Sequence, residues 1–192
     1  MKATFAFLAD TEIHNFVRKL AWDIHRNYGI GLDATCLLPH ISLKQPFAVA
    51  DLDALESYMQ QLVENMHPFK VHLPQLQLIK TTINNIETGI LWLDVQETEQ
   101  LRQTHLQLNH ELAARFENTQ APFDGADYHF HMTIAIGGQP WNVFQKMFGE
   151  KSTVAVNVNL QCLVRELALF VYDDNAVLGN GYMTYKILPL SG

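Results

Sequence analysis

The same succession of parts occurs twice along the chain. A strand-like run leads into Asp10-Thr11-Glu12, an amphipathic segment, a loop and then Pro39-His40-Ile41-Ser42-Leu43. A second strand-like run leads into Glu97-Thr98-Glu99, another amphipathic segment, a loop and then Phe130-His131-Met132-Thr133-Ile134. The interval from Glu12 to His40 is 28 residues and that from Glu99 to His131 is 32. Little residue identity connects the halves, so the near-constant spacing is what marks an internal duplication. A repeat of half-chain size implies two similar lobes related by a pseudo-twofold axis, not a solenoid of short units. The expectation is a single bilobal domain over residues 1–192, built on approximate repeat cores 4–43 and 89–134, each lobe offering one histidine strand.

Periodicity fills in the elements. Thr4–Leu8 reads as a strand, and Thr11–Tyr28 as a helix with Ile13, Phe16, Val17, Leu20 and Ile24 on one face, ended by Gly29 and Gly31. Leu37–Leu43 reads as a strand and Asp51–Met66 as a helix capped by Asp51. Phe69–Ile79 and Gly89–Val95 form strands around the Asn84-Asn85 turn, followed by a helix at Glu97–Phe116. After a loop with Pro122, Asp124 and Gly125 come a strand at His129–Ile136 and a short helix at Pro140–Phe148. Thr153–Val158, Cys162–Tyr172 and Tyr182–Leu188 read as strands. The turn residues Asp173-Asp174-Asn175 and Gly179-Asn180-Gly181 separate the last two. The fold class is therefore α+β, with an antiparallel-rich sheet and flanking helices in each lobe and a central cleft.

Bulk properties narrow the function. Hydrophobic residues at 48% supply a full core, and no apolar run approaches the roughly 20 residues of a membrane span, since Arg165 and Glu166 interrupt the run at Leu163–Tyr172. The apolar start reaches Asp10 within a strand's length and is not read as a signal peptide. Cys36 and Cys162 lack metal or redox spacing and read as buried free thiols in a reducing cytoplasm. A formal charge of −7 disfavours binding along extended nucleic acid, whose affinity comes from counterion release at basic surfaces. The expected partner is a small nucleotide or an RNA end, met by a monomer.

Alternation on a strand puts His131 and Thr133 on one side and Phe130, Met132 and Ile134 on the other; His40 and Ser42 oppose Ile41 and Leu43 in the same way. Each strand thus offers an imidazole and a hydroxyl about 7 Å apart, two residues of rise. The hydroxyl can donate to a phosphoryl oxygen, and the imidazole titrates near neutrality. Two such halves face to face provide a base, an acid and donors for in-line displacement at phosphorus, with neither metal nor cofactor required. A single H-x-[ST] recurs by chance in many proteins; two, each on a strand at the same place of a repeat, point to one paired site.

His40-Ile41-Ser42-Leu43 and His131-Met132-Thr133-Ile134, 91 residues apart, resemble the two signature tetrapeptides of the 2H phosphoesterase superfamily, whose bacterial members include 2'-5' RNA ligase-like proteins. The resemblance covers nearly the whole chain. It implies a bilobal α+β fold, a central cleft, no metal, and hydrolysis or formation of 2',3'-cyclic or 2'-5' phosphodiesters. By that resemblance His131 would activate water, His40 would protonate the leaving oxygen, and Ser42 and Thr133 would hold the phosphate. Many members carry a basic residue near the position of Ile136. Its lack here points away from a ligase or a polynucleotide substrate.

Other residues have second readings. Lys44 shares the side of His40 and Ser42 and could neutralise phosphate, or simply be solvated. His129 shares the side of His131, and H-x-H could supply two ligands to a metal, although no carboxylate or cysteine cluster completes a site. Tyr128, Trp92, Phe5 and Phe7 could include a base-stacking surface, most of them being core. His14, His25, His67, His72, His105 and His110 read as structural or surface residues. Two alternatives to a phosphodiesterase stay open: a non-catalytic nucleotide- or phosphate-binding module on the same fold, and a metal-dependent hydrolase using His129 and His131.

Overall fold

The opening strand, β1 (Lys2–Leu8), is buried on both faces, and that is why its sequence is apolar without interruption. Ala3, Phe5 and Phe7 enter the main core, while Ala6 and Leu8 join Ala168 and Phe170 in a separate small cluster on the opposite face. The structure is a computed structural model that describes residues 1–148, 156–173 and 181–191. After β1 come α1 (Thr11–Tyr28), a 3-10 turn (Asp33–Cys36), β2 (His40–Ser42), β3 (Phe47–Ala48), α2 (Leu52–Val63), β4 (Phe69–Ile83), β5 (Ile86–Asp94) and α3 (Glu99–Arg115). The chain continues through β6 (His131–Ile136), α4 (Trp141–Phe148), β7 (Val156–Val164), β8 (Glu166–Asp173) and β9 (Gly181–Pro189).

Two antiparallel sheets result. One runs β2-β1-β8-β9, with β3 also paired to β1; the other runs β6-β5-β4-β7. In each, a histidine strand is the edge, paired to the strand that precedes the repeat's helix. Helix α1 starts where the sequence places it, whereas α3 starts at Glu99, two residues after the expected Glu97, because Thr98 is its cap. The Asp10 carboxylate accepts from Ile13 N at 3.0 Å and the Thr98 hydroxyl from Leu101 N at 3.2 Å. Asp10 uses its second oxygen to accept Leu163 N at 2.7 Å, so the cap of α1 also grips β7 of the other sheet. Gly29, at φ 67°, ends α1 in the left-handed conformation expected of a helix C-terminus. Helix α1 lies against β6 and β7, and α2 against β8 and β9. The Asn84-Asn85 turn is confirmed as a two-residue hairpin between Ile83 and Ile86, with φ of 50° and 64°, the values that Asn tolerates best after glycine.

Several expectations need correction. The run Cys162–Tyr172 is not one strand: its first part belongs to β7 and its second to β8, which lie in different sheets with only Arg165 between them. Cys36 is exposed, because the segment before β2 is a surface 3-10 turn and not strand; Cys162 is buried as expected. Strand β4 slips register at Leu73/Gln75 against β7, around a proline that has no N–H to offer the ladder. The slip turns Gln75 and Gln77 to the side opposite the buried Leu73 and Leu76. The first residues of Thr153–Val158 and most of the two final turns lie outside the described residues. No helix among the described residues is long and apolar enough to cross a membrane.

Gly89 on β5 packs under α4, where a Cβ would sit 2.5 Å from Phe144 Cγ. Because Phe144 is fully buried and has nowhere to move, Gly89→Ala should destabilise the protein by about 1–3 kcal/mol, the usual cost of overpacking. Urea unfolding checks it, and an unchanged midpoint would show that α4 yields freely.

Candidate active site

β2 and β6 approach one another to within 8 Å between Cα atoms, which brings the two histidine strands together from separate sheets. Their imidazoles are held in the same manner. His40 Nδ1 donates to the Leu38 carbonyl at 2.7 Å, and His131 Nδ1 donates to the His129 carbonyl at 3.0 Å, in each case two residues back. A carbonyl can only accept, so Nδ1 carries the hydrogen in both rings, and Nε2 is left to take up or release a proton.

The surroundings of the two rings differ. His40 stands in register with Leu8 and meets Phe170 edge-on, with centroids 4.7 Å apart, above the small cluster of Ala6, Leu8, Ala168 and Phe170. Burial in this apolar setting lowers its pKa to about 4, against the opposing effect of the Leu38 carbonyl, and the nearby charge of His131 lowers it further. His131 stacks on Trp92 at 4.4 Å and lies nearly parallel to His129 at 6.2 Å. Burial also lowers the His131 pKa and its carbonyl bond opposes this; the charge of His129 depresses it further, whereas Asp94 raises it.

Asp94 lies opposite His131 in the β5–β6 register. Its Oδ1 is 2.9 Å from His129 Nε2, an ion pair when that ring is protonated, and its Oδ2 accepts from Gln75 at 3.3 Å. Gln77 in turn accepts from Trp92 Nε1 at 3.3 Å, which fixes the plane on which His131 rests. Ser42 and Thr133 share the sides of His40 and His131 and are half-buried, opposite Ala6 and Trp92.

Of the remaining candidates, Lys44 is only 2% exposed, and its amine is taken by the Asp124 carboxylate. It points into the protein because β2 ends at Ser42 and strict alternation ends with it. Tyr128 is buried, stacked on His105 at 4.3 Å, and donates to the Ser42 carbonyl at 3.0 Å, so its ring offers no open face to a base. Phe5 and Phe7 are core. His129 is exposed beside Asp94. Among the described residues no three His, Cys, Asp or Glu side chains are grouped to hold a metal ion. His105 is fully buried with Nδ1 on the Leu43 carbonyl at 2.8 Å, and His72 is held between Gln96 and Asn159, each at 2.7 Å. Sequence reasoning missed Asp94, Gln75, Gln77 and Phe170. Alternation in Leu91-Trp92-Leu93-Asp94 signals which of these face away from the core, but only strand pairing puts them beside a histidine.

A family model described as the 2'-5' RNA ligase superfamily matches residues 9–176. No curated protein matches the chain. Among solved structures, a protein of Thermus thermophilus is 16% identical with a TM-score of 0.60, over 99% of this chain and 98% of that one. E. coli LigT solved with 3'-AMP is also 16% identical at a TM-score of 0.60, over 100% of this chain and 98% of that one. A structure named only as a phosphoesterase is 17% identical at a TM-score of 0.57, over 100% of this chain and 99% of that one. At these identities the neighbours establish the fold, which among the described residues has two antiparallel sheets and four α-helices. With a model that spans both histidine strands and most of the chain, the chain belongs to the 2'-5' RNA ligase superfamily, the 2H phosphoesterases.

Proposed function

We propose that the protein is a metal-independent phosphodiesterase acting on 2',3'-cyclic or 2'-5' linked nucleotides or small RNA ends, with His40 and His131 as the acid-base pair. The observation that carries this reading is the matched fixing of the two rings, each with Nδ1 on the carbonyl two residues back and Nε2 left for proton transfer. In hydrolysis of a 2',3'-cyclic phosphate, a water attacks phosphorus while the imidazole of His131 takes its proton. The bond from phosphorus to one ribose oxygen breaks, and the imidazole of His40 gives that oxygen a proton. Ser42 and Thr133 donate to the non-bridging oxygens. The depressed proton affinities suit an anionic ligand, since a phosphodiester between the rings restores the protonated form that the acid requires. LigT has been solved with 3'-AMP and with phosphate, ligands of the size this reading requires.

A panel of 2',3'-cyclic nucleotides and 2'-5' dinucleotides, assayed with chelator present, tests the proposal. Turnover should persist. Loss of turnover restored by zinc or manganese would transfer the case to His129 and His131 as metal ligands, and tight phosphate binding without turnover would make the protein a binding module. The pH profile carries a further expectation. The free enzyme needs one ring neutral and one protonated, and both rings have pKa values below 6.5, with His40 near 4. kcat/KM should therefore peak below pH 6.5 and fall as pH rises above it. kcat, which reports the complex, should peak at higher pH because bound phosphate raises both affinities. The two limbs belong to a coupled pair. A kcat/KM still rising above pH 8 would contradict the two-imidazole scheme.

A further inference from the structure

The backbone just after His40 is held by β1 on one side, where Leu43 N donates to the Phe5 carbonyl at 2.8 Å and the Thr4 hydroxyl to the Lys44 carbonyl, and by side chains from the segment that leads to His131 on the other. The Ser42 carbonyl accepts from Tyr128 Oη at 3.0 Å, the Leu43 carbonyl from His105 Nδ1 at 2.8 Å, and Gln45 N donates to Asp124 Oδ1 at 3.0 Å. The Lys44 amine is paired with the same Asp124. Asp124 and Tyr128 lie on the connection between α3 and β6, and His105 lies on α3 itself. Arg102 of α3 fixes that connection from behind, donating to the Gly125 carbonyl at 2.9 Å and the Tyr128 carbonyl at 2.8 Å. Tyr128, three residues before His131, is clamped between His105 at 4.3 Å and Phe130 at 5.1 Å. The strand that carries one histidine is thus tied, residue by residue, to the strap that delivers the other.

We infer that Tyr128 is a positioning residue of the phosphodiester site, its hydroxyl holding Ser42 at the working distance from His131 and Thr133; this rests on the phosphodiesterase reading above. A phosphate between two edge strands is reached from both sides only if their separation is fixed, and a displacement near 1 Å can cost about 100-fold in rate. Burial and the charge of Asp124 hold the phenol protonated, so it stays a donor throughout the working pH range. Neither Tyr128 nor Asp124 needs to touch the ligand for this role.

The test is a double-mutant cycle on 2',3'-cyclic AMP. Tyr128→Phe keeps the ring and removes only the oxygen that bonds Ser42. It should lower kcat about tenfold with KM changed by less than about twofold and folding intact by circular dichroism. In a Ser42→Ala background the same change should cost less than about twofold, because the hydroxyl it positions is gone. Full additivity, or a Tyr128→Phe enzyme with wild-type kcat, would overturn the inference while leaving the phosphodiesterase reading intact. A wild-type protein with no turnover on the panel would overturn that reading and this inference with it. Should Tyr128→Phe not fold, Tyr128→4-fluorophenylalanine, which fills the place of the oxygen without a hydrogen to donate, enters the same cycle under the same criteria.

Discussion

His40→Ala and His131→Ala should each lower turnover of a 2',3'-cyclic nucleotide by about two to four orders of magnitude, the usual worth of positioned acid or base catalysis. Neither ring can substitute for the other. Each has Nδ1 committed to its own carbonyl and so has one nitrogen for chemistry, on one side of the phosphate. His72 has both nitrogens engaged by amide oxygens and His105 is buried against Leu43, so neither is placed as a replacement. Ser42→Ala and Thr133→Ala should cost less, since each removes one donor while both proton transfers remain. Loss of folding is separable from loss of chemistry by thermal unfolding, because both histidines are half-buried at sheet edges and truncation leaves the main core intact. Near-normal turnover in either histidine variant, on a substrate that the wild type cleaves well, would sink the two-histidine mechanism.

The largest effect on stability should come from Asp124→Ala. Lys44 and Asp124 are 2% and 8% exposed, so removing the carboxylate strands an ammonium among Phe47 and the strap, and deprives Gln45 N of its acceptor. Breaking one side of such a buried pair costs about 3–5 kcal/mol. Replacing both partners, Lys44→Met with Asp124→Leu, should recover most of that loss, because the expense lies in the unpaired charge and not in the absence of the pair. Denaturant unfolding of the two variants decides the matter. A single-variant loss below about 1 kcal/mol would mean that water reaches the amine.

Much of the architecture was legible because it depends on local chemistry. Asp10 and Asp51 cap the helices they precede, Asn84-Asn85 closes the hairpin, and period-two alternation separates Ile41, Met132 and Ile134 from His40, Ser42, His131 and Thr133. What alternation cannot supply is the neighbour. Lys44 was assigned a side by counting residues, but its partner Asp124 lies 80 positions away and becomes its neighbour only through tertiary packing. For Tyr128 the sequence leaves both a base-stacking and a core role open, because nothing local announces that its hydroxyl meets the Ser42 carbonyl. The passage from β7 to β8 was illegible for another reason: both strands are apolar, so a change of sheet at Arg165 leaves no break in the hydrophobic pattern.

That passage bears on how the chain matures during synthesis. β8 is the inner strand between β1 and β9, and its register couples Lys2 to Tyr172 and Phe7 to Leu167. A ribosome must therefore deliver the whole stretch from β1 to β8 before β1 can acquire its central neighbour. Such long-range pairing slows folding and leaves an apolar edge open meanwhile. The same one-residue step that admits β8 to its sheet has just completed the other with β7, so the run from β7 to β9 closes both sheets together.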